Sequence, residues 1–232
     1  MALTTNLQNS YALIANSNDA VGGVNGTDTS ISYSTVGGKL SAGFNGTSSR
    51  VTMSGVTLTG TGDMTFTGWL YLTALAHDSY FISNRKNPDD NIGIYNFHVD
   101  TAGKLNWWDY DGGAFGFNTT SLSTGTLSTA TWYHVAFVRS GGTSGTYYIN
   151  GSSSGTTTAA ASKSYSSSAT HPMILGTEGE TGGATYTLDG QMVGWQFYTR
   201  ALSGAELLEL YNNGNVLQYP FSKGSPSFIN FM

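Results

Sequence analysis

The chain has 232 residues and a formal net charge of −5, and 39% of its residues are hydrophobic, 13% aromatic and 10% charged. This length fits one large all-β domain around a single core, and the aromatic content excludes a disordered low-complexity chain. The charges are scattered singly and cysteine is absent, which excludes a basic footprint for nucleic acid or a membrane surface, disulfides, thiol catalysis and cysteine-based zinc sites.

Short runs rich in β-branched and aromatic residues recur between clusters of glycine, serine and asparagine. This spacing is typical of an antiparallel sandwich. In chain order, strands are predicted at 50–53, 64–72, 79–83, 92–99, 104–108, 114–118, 132–139, 146–150, 172–176 and 186–199. The runs 64–72 and 132–138 are apolar at both alternating positions, which predicts central strands that are covered on both faces.

One helix is predicted, beginning at Ser203. Ser203 and Glu206 have the spacing of a capping box, in which each side chain satisfies a backbone N–H at the start of the helix. An apolar stripe follows between Leu207 and Tyr211, and Gly214 is the expected stop. The pattern therefore predicts about three turns at most, docked on the sandwich.

Two segments lack a clear periodic pattern. The Ser/Thr/Ala-rich stretch 152–168 is predicted to be an exposed loop or an irregular sheet edge. The second segment is an apolar tail at 215–232, whose prolines exclude a long helix. The chain is therefore divided into a domain at 1–214 and this tail. The tail either folds back over its own sandwich or buries large apolar side chains against a neighbouring subunit. The candidates for that assembly contact are Phe221, Phe228, Ile229 and Phe231.

The first candidate for ligand binding is an aromatic and acidic run at the end of a predicted strand. It consists of Trp107, Trp108, Asp109, Tyr110 and Asp111. Sugars are held by stacking on an aromatic face together with polar partners for their hydroxyls, and this run offers both. The structural alternative is that alternate members fill the core while the aspartates form a turn.

The second candidate is the polar loop 84–91. Its oxygen-bearing residues would suit calcium, although the spacing of an EF-hand is absent, and a solvated hairpin loop is the structural alternative. The residues concerned are Asn84, Asp89, Asp90 and Asn91. For Asp19 and Asp28 the same two alternatives apply: oxygen ligands for calcium, or residues of a solvated loop. No cofactor or other metal site is predicted.

Catalysis is not expected. A glycosidase needs two carboxylates that flank the scissile bond, and the chain has only four glutamates. Two of them belong to the predicted helix, while Glu178 and Glu180 lie among glycines that favour a turn over a strand. The four histidines lack the spacing of a metal site, and both a nucleophile elbow and a phosphate-binding loop are missing.

Three motifs carry a resemblance to a known family: Trp132–Arg139, Tyr147–Gly151 and Gly190–Ser203. Their order and spacing resemble the laminin G-like jelly rolls of the concanavalin A-like lectin and glucanase superfamily. The resemblance implies an all-β, antiparallel jelly-roll β-sandwich with one short C-terminal helix. Relatives often carry an acidic residue where this chain has Val193, which puts any cation or ligand role of that position in doubt.

The resemblance leaves three classes of function: a non-catalytic lectin-like module, a structural component of a larger assembly, and a glycoside hydrolase. The chain begins with Met, its first residues lack the basic and apolar regions of a secretory signal, and it resembles lectin-like proteins of bacteriophage particles. We therefore expect a virion surface protein, in a capsid decoration or a tail fibre, that contacts glycans or neighbouring virion subunits.

Several expectations about partners and location accompany this hypothesis. The protein is expected to be an oligomer or part of a larger assembly, with no nucleic acid and no membrane among its partners. The sequence has no run near the ~18 apolar residues that a spanning helix needs. The alternative location is extracellular, as an exported bacterial glycan-binding module.

Overall fold

Two antiparallel β-sheets pack face to face in the computed structural model, and one short helix lies against the larger sheet. This confirms the predicted all-β sandwich. The structure describes residues 2–56, 62–84, 95–109, 121–141, 144–158, 172–178 and 186–221.

The described strands form two sheets with many non-sequential neighbours. The larger sheet has the order β12-β11-β10-β6-β14-β4-β3, with β1 also paired to β14, and the smaller has the order β2-β5-β13-β7-β8-β9. The strands are β1 (Leu7–Tyr11), β2 (Thr27–Thr29), β3 (Ser32–Val36), β4 (Lys39–Asn45), β5 (Arg50–Met53), β6 (Met64–Leu72), β7 (Ser79–Ser83), β8 (Tyr95–Val99), β9 (Leu105–Asp109), β10 (Trp132–Ser140), β11 (Ser144–Ile149), β12 (Ser152–Thr158), β13 (Met173–Leu175) and β14 (Asp189–Tyr198).

The predicted strands agree with this set wherever the structure describes them, and three of them match to the residue: β5, β6 and β7. Strands β1 to β4 and β12 were not predicted as strands. β12 forms the edge of the larger sheet, and its pairing with β11 shifts register between Thr146 and Tyr148. For 152–158 the structure therefore shows the irregular-edge alternative. The predicted strand at 114–118 lies outside the described residues.

β6 and β10 lie at the middle of the larger sheet and are covered on both faces, as predicted. They form eight consecutive antiparallel pairs. On one face, Phe66 and Phe137 belong to the main core between the sheets. On the other face, Ala136 and Val138 belong to a second apolar cluster, which also contains Leu207 of the helix.

Aromatic rings fill the main core. The rings of Trp107 on β9 and Phe137 on β10 are stacked with 4.1 Å between centroids and 4° between planes. Tyr95 stacks on the Trp107 ring at 5.6 Å, and so does Phe66, also at 5.6 Å. Because these rings come from both sheets, their contacts fix the smaller sheet against the larger one. Aromatic pairs of this kind stabilise by about 0.5–1.5 kcal/mol beyond the burial of their area.

The helix α1 spans Gly204–Tyr211 and begins as predicted. Ser203 is the N-cap, and its capping box with Glu206 is complete in both directions. The end differs from the prediction, because Asn212 adopts the left-handed conformation with φ 46° and ends the helix before Gly214. Asparagine tolerates this conformation better than most residues. None of the helices in the described part of the chain is long and apolar enough to cross a membrane.

The first residues of the tail fold back over their own sandwich. Leu217 is buried in the second apolar cluster, and Phe221 is partly buried against it. The Gln196 side chain donates to the carbonyl oxygen of Leu217 at 3.3 Å, and the Gln218 side chain donates to that of Ala12 at 3.3 Å. Phe221 thus packs in part on its own chain, and its assembly contact stays a prediction. Outside the described residues lie Phe228, Ile229 and Phe231.

A buried ion pair holds α1 to the rest of the domain. Arg200 donates to both carboxylate oxygens of Glu206, at 2.9 and 2.7 Å, and also to backbone carbonyls of Ala2 and Thr5. The two side chains are 10% and 9% exposed. The pair therefore joins three segments: the N-terminus, the end of β14 and the helix.

We predict that Glu206→Ala lowers the free energy of unfolding by about 3–5 kcal/mol, because it leaves a buried guanidinium without its carboxylate and removes half of the capping box. Glu209→Ala, on the exposed side of the same helix, is the matched control and should change stability by about 0.5 kcal/mol or less. Urea denaturation at neutral pH measures both.

The pair also predicts an acid-sensitive component of stability. Hydrogen bonding to Arg200 lowers the pKa of Glu206 from 4.5 to about 2. Because the folded pKa is the lower one, this stabilisation is complete above the unfolded pKa of 4.5 and is lost as the pH falls towards 2. Glu206→Gln should lack this component, and identical acid limbs for the two proteins would contradict the assignment.

Candidate functional site

The outward face of β7, β8 and β9 carries polar and aromatic side chains in place of a second apolar layer. Side chains alternate along a strand, and Tyr95, Phe97 and Trp107 point into the core. Their neighbours therefore point away from it. We call this surface the polar sheet face and define it by Tyr80, Ser83, Asn96, His98, Asn106 and Trp108.

Strand register brings these six side chains into two rows. Asn96 on β8 lies directly opposite Ser83 on β7 and Trp108 on β9. His98 in the same way lies opposite Tyr80 and Asn106. Directly opposite residues have Cβ atoms about 4.5–5.5 Å apart, so each row is continuous across three strands.

Several polar atoms of this face have no hydrogen-bond partner within the described part of the chain, although they are buried. They are the Asn96 Nδ2 and Oδ1, the His98 Nδ1 and the Asn106 Oδ1. Asn96 is 0% exposed. An unpaired buried polar group costs about 1–3 kcal/mol, so a hydrogen-bonding partner for these atoms would stabilise the protein.

His98 is a neutral imidazole at physiological pH. Its ring is stacked on Tyr80, with 4.4 Å between centroids and 9° between planes. Burial lowers the pKa of His98 to about 3. A neutral imidazole carries one donor and one acceptor nitrogen, which suits hydroxyl groups better than ions.

The polar sheet face offers both hydrogen-bonding groups and aromatic rings. Its six defining side chains comprise two amides, an imidazole, the hydroxyls of Ser83 and Tyr80, and the rings of Tyr80 and Trp108. The Ser83 hydroxyl donates to the carbonyl oxygens of Thr177 and Glu178, at 2.9 and 2.8 Å, which places Glu178 beside the face. Its sequence neighbour Glu180 lies outside the described residues.

The predicted aromatic run is divided by the sheet. Trp107 is 0% exposed and packed on Phe137, so its ring is not available to a sugar, and the predicted binding role is wrong for this residue. Trp108 is half-buried on the polar sheet face, where the prediction stands. The backbone of Asp109 ends β9 opposite Tyr95. Tyr110 and Asp111 lie outside the described residues.

The predicted polar loop is described only at its first residue. The Asn84 Oδ1 accepts from the backbone N–H of Tyr95 at 2.8 Å, so this oxygen closes the ends of β7 and β8 and is not left for calcium. Outside the described residues lie Asp89, Asp90 and Asn91, and calcium binding there stays a prediction.

The two other carboxylates considered for calcium are also engaged in the fold. Asp19 accepts from the Asn9 side chain at 2.6 Å and from the backbone N–H groups of three further residues, Ser10, Val21 and Val24. Asp28 accepts from the hydroxyls of Ser17 and Tyr33. Within the described ranges, no three His, Cys, Asp or Glu residues form a metal-binding group.

Five members of the polar sheet face were missed by sequence reasoning. A signal does exist, because 95–99 reads Tyr-Asn-Phe-His-Val and so alternates core residues with an amide and an imidazole. The missing information was the register, which decides that Asn96 and His98 share a face with residues of β7 and β9.

We predict that Asn96→Leu raises the free energy of unfolding by about 1–3 kcal/mol, because it removes a buried amide without partners while keeping a similar volume. Asn84→Leu is the matched control and should lower it, since this change breaks the hydrogen bond to the Tyr95 N–H. Chemical denaturation of both variants measures the difference. A similar loss in both variants would mean that the Asn96 amide is satisfied in the native state.

The fold is shared with several proteins of known structure. Domain 4 of AbnA, an extracellular arabinanase from Geobacillus stearothermophilus in complex with arabinotriose, superposes with a TM-score of 0.67 and 17% identity, over 88% of this chain and 98% of that one. The binding domain of Paraclostridial Mosquitocidal Protein 1 gives 0.70 and 18%, over 92% of this chain and 53% of that one.

A Trypanosoma rangeli sialidase in complex with 2,3-difluorosialic acid gives a TM-score of 0.66 and 15% identity, over 93% of this chain but only 34% of the sialidase. At these identities the likeness shows the fold alone. No curated protein sequence matches the chain significantly.

A laminin G-type family model, described as the concanavalin A-like lectin/glucanases superfamily, matches residues 45–208. The match covers more than half of the chain and includes β5 to β14 and most of α1. The chain therefore belongs to the concanavalin A-like lectin/glucanase superfamily.

Proposed function

We propose that the protein is a non-catalytic, lectin-like module that binds glycans on the polar sheet face. The observation that carries this proposal is the set of unpaired buried atoms on Asn96, His98 and Asn106. Sugar hydroxyls donate and accept at once, so one saccharide would satisfy amide and imidazole groups together.

The aromatic members supply the second requirement of sugar recognition. Trp108 is half-buried on β9, directly opposite Asn96 in the same row. An indole ring in this position would stack against the apolar face of a pyranose while the neighbouring amide binds its hydroxyls. Asn106 is partly exposed on the same strand, so the two side chains would form the accessible side of the site.

The comparisons give the proposal a plausible ligand class. One solved domain of the same fold is in complex with arabinotriose, and others are named as binding domains. They support recognition as a use of this fold, and the residues that would perform it here come from this chain alone.

A catalytic role is not proposed, because hydrolysis of a glycosidic bond needs two carboxylates at the reaction centre. Glu206 is committed to its ion pair with Arg200. Glu178 beside the polar sheet face, together with Glu180, is the pair that a glycoside hydrolase would use, and this is the alternative function.

We predict that a glycan array identifies ligands for the full chain and that Trp108→Ala weakens the best of them at least tenfold, or about 1.4 kcal/mol. Trp132→Ala is the matched control: Trp132 is also partly exposed, but it lies on the larger sheet, where its Nε1 donates to the Val36 carbonyl. Calorimetric titration measures both variants once far-ultraviolet circular dichroism has shown that they are folded.

Three outcomes would contradict the proposal. The first is that the wild type binds no glycan. The second is that Trp132→Ala weakens binding as much as Trp108→Ala does. The third is that the protein releases reducing ends from polysaccharides and that Glu178→Gln abolishes this release. The last result would establish the hydrolase alternative.

We propose, as the narrower setting, that the module is displayed on a virion surface as a capsid decoration or a tail-fibre component. Support comes from the resemblance to lectin-like proteins of phage particles and from the apolar residues of 222–232, namely Phe228, Ile229 and Phe231. Each would stabilise an assembly contact by about 1.5–3 kcal/mol if fully buried there. An exported bacterial module is the alternative.

We predict that deleting 222–232 leaves the fold and glycan binding intact but prevents incorporation into particles, because the packed residue Leu217 and the fold-back contacts are retained. Particle composition after gradient purification measures incorporation. Deletion that leaves incorporation and sedimentation unchanged would contradict the assembly role.

A further inference from the structure

A groove of about 610 Å³ lies on the opposite side of the sandwich from the polar sheet face. It runs between the hairpin that joins β3 to β4 and the segment that follows α1. Its volume is within the range of small-ligand sites, about 300–1,000 Å³. We call it the tail groove. The lining residues that matter below are Ile14, Lys39, Leu40, Asn215, Gln218 and Tyr219.

Exposed apolar side chains cluster in the tail groove. In the described part of the chain, seven large apolar side chains are exposed, and three of them line this one groove. They are Ile14 at 37%, Leu40 at 46% and Tyr219 at 39%. Single exposed apolar residues are ordinary. Three of them on one concave surface give a ligand apolar contacts beside the polar groups of the same lining.

The tail groove also contains a cation without an anionic partner. The Lys39 ammonium donates to the Gly214 carbonyl at 2.6 Å and lies 4.4 Å from the centroid of the Trp69 ring. Partial burial lowers the pKa of Lys39. Within the described part of the chain no carboxylate pairs with it, and one carbonyl uses only one of its three N–H groups.

Two amide side chains complete the polar part of the lining. The Asn215 Nδ2 donates to the Asn212 carbonyl at 3.3 Å, and the Gln218 Nε2 donates to the Ala12 carbonyl at 3.3 Å. With their NH₂ groups held by the backbone, both residues can offer amide oxygens as acceptors. Such acceptors suit hydroxyl donors.

The wall that carries these amides is fixed before any ligand arrives. Gly194 has φ 64°, and a Cβ there would lie 3.0 Å from the Val216 side chain, so the tail packs closely on β14. The hydrogen bonds from Gln196 to the Leu217 carbonyl and from Gln218 to the Ala12 carbonyl hold the same segment. A preformed wall reduces the entropy lost on binding.

We propose that the tail groove is a second binding site, separate from the polar sheet face, for a carboxylate-bearing sugar. The sugar carboxylate pairs with the Lys39 ammonium, the apolar face of its ring packs on Tyr219, and its hydroxyls donate to Asn215 and Gln218. Charge complementarity selects this occupant, because the Lys39 ammonium has no carboxylate partner among the described residues. Lys39 is only half-buried, so dissolved salt screens its attraction for a carboxylate and the pairing is sensitive to ionic strength.

The test is a calorimetric titration of the full chain with trigalacturonate, maltotriose and triglutamate, at about 50 mM and about 500 mM NaCl. Lys39→Met removes the charge and keeps an apolar stem against Trp69. Lys104→Met is the matched control, because the Lys104 ammonium also donates to a backbone carbonyl, that of Thr124, but lies at the other sheet. Tyr219→Ala provides a second variant, since this ring is exposed and its loss should leave the fold intact.

We expect trigalacturonate to bind at low salt, and to bind at least tenfold more weakly to Lys39→Met, to Tyr219→Ala and at high salt. Lys104→Met should behave as the wild type. Absence of trigalacturonate binding, or equal binding by wild type and Lys39→Met, would overturn the proposal. So would Lys39-dependent binding of triglutamate alone, which would mean that the groove takes an acidic peptide.

The proposed function is tested separately within the same experiment. If Trp108→Ala abolishes trigalacturonate binding while Lys39→Met leaves it unchanged, acidic sugars bind on the polar sheet face, and only the second site is disproved. If Trp108→Ala no longer binds maltotriose or the glycans of the array, and Lys39→Met binds them as the wild type does, the result concerns only the site on the polar sheet face.

Discussion

The stacking of Trp107 on Phe137 is the contact on which the arrangement of the polar sheet face depends. Among the described strands β9 pairs only with β8, and the Trp107 ring, together with the hydrogen bond from its backbone N–H to the Tyr147 hydroxyl, ties it across the core to the larger sheet. Because side chains alternate along a strand, burying this ring turns Asn106 and Trp108 to the opposite face. The core contact therefore decides which residues of β9 lie on the polar sheet face.

On the other side of the sandwich, a second apolar layer positions the residues that line the tail groove. The ion pair of Arg200 with Glu206 holds α1 over the outward face of β6 and β10, and Leu217 brings the following segment down beside it. That segment then forms one wall of the tail groove. The two proposed sites thus lie on different sheets and rest on different packing, so substitutions at one should leave the other unchanged.

The accuracy of the prediction from sequence differs from element to element. The strand 64–72 was predicted to the residue because it is apolar on both faces, which is a local pattern. The strand 152–158 has only serine, threonine and glycine, and its pairing with β11 makes it a strand. Trp107 and Trp108 are adjacent and identical, so the alternation of side chains along a strand predicts that one is buried and the other is not, but the sequence leaves open which of them binds a ligand. The contact with Phe137, which lies 30 residues later in the chain, decides it.

Unpaired buried atoms also occur elsewhere in the described residues, for example on His134 and Tyr198, but on the polar sheet face they lie on three neighbouring side chains. Other buried polar groups are satisfied: Asp19 receives four hydrogen bonds, and Asn84 closes a strand end through the Tyr95 N–H. The Asn96 amide lies in the middle of three strands and has no partner within the described residues. Its neighbours on β8 are core aromatics whose packing offsets a cost of about 1–3 kcal/mol. An amide held in this way is already oriented for a hydroxyl, so a bound hydroxyl would offset the free-energy cost of leaving the amide unpaired.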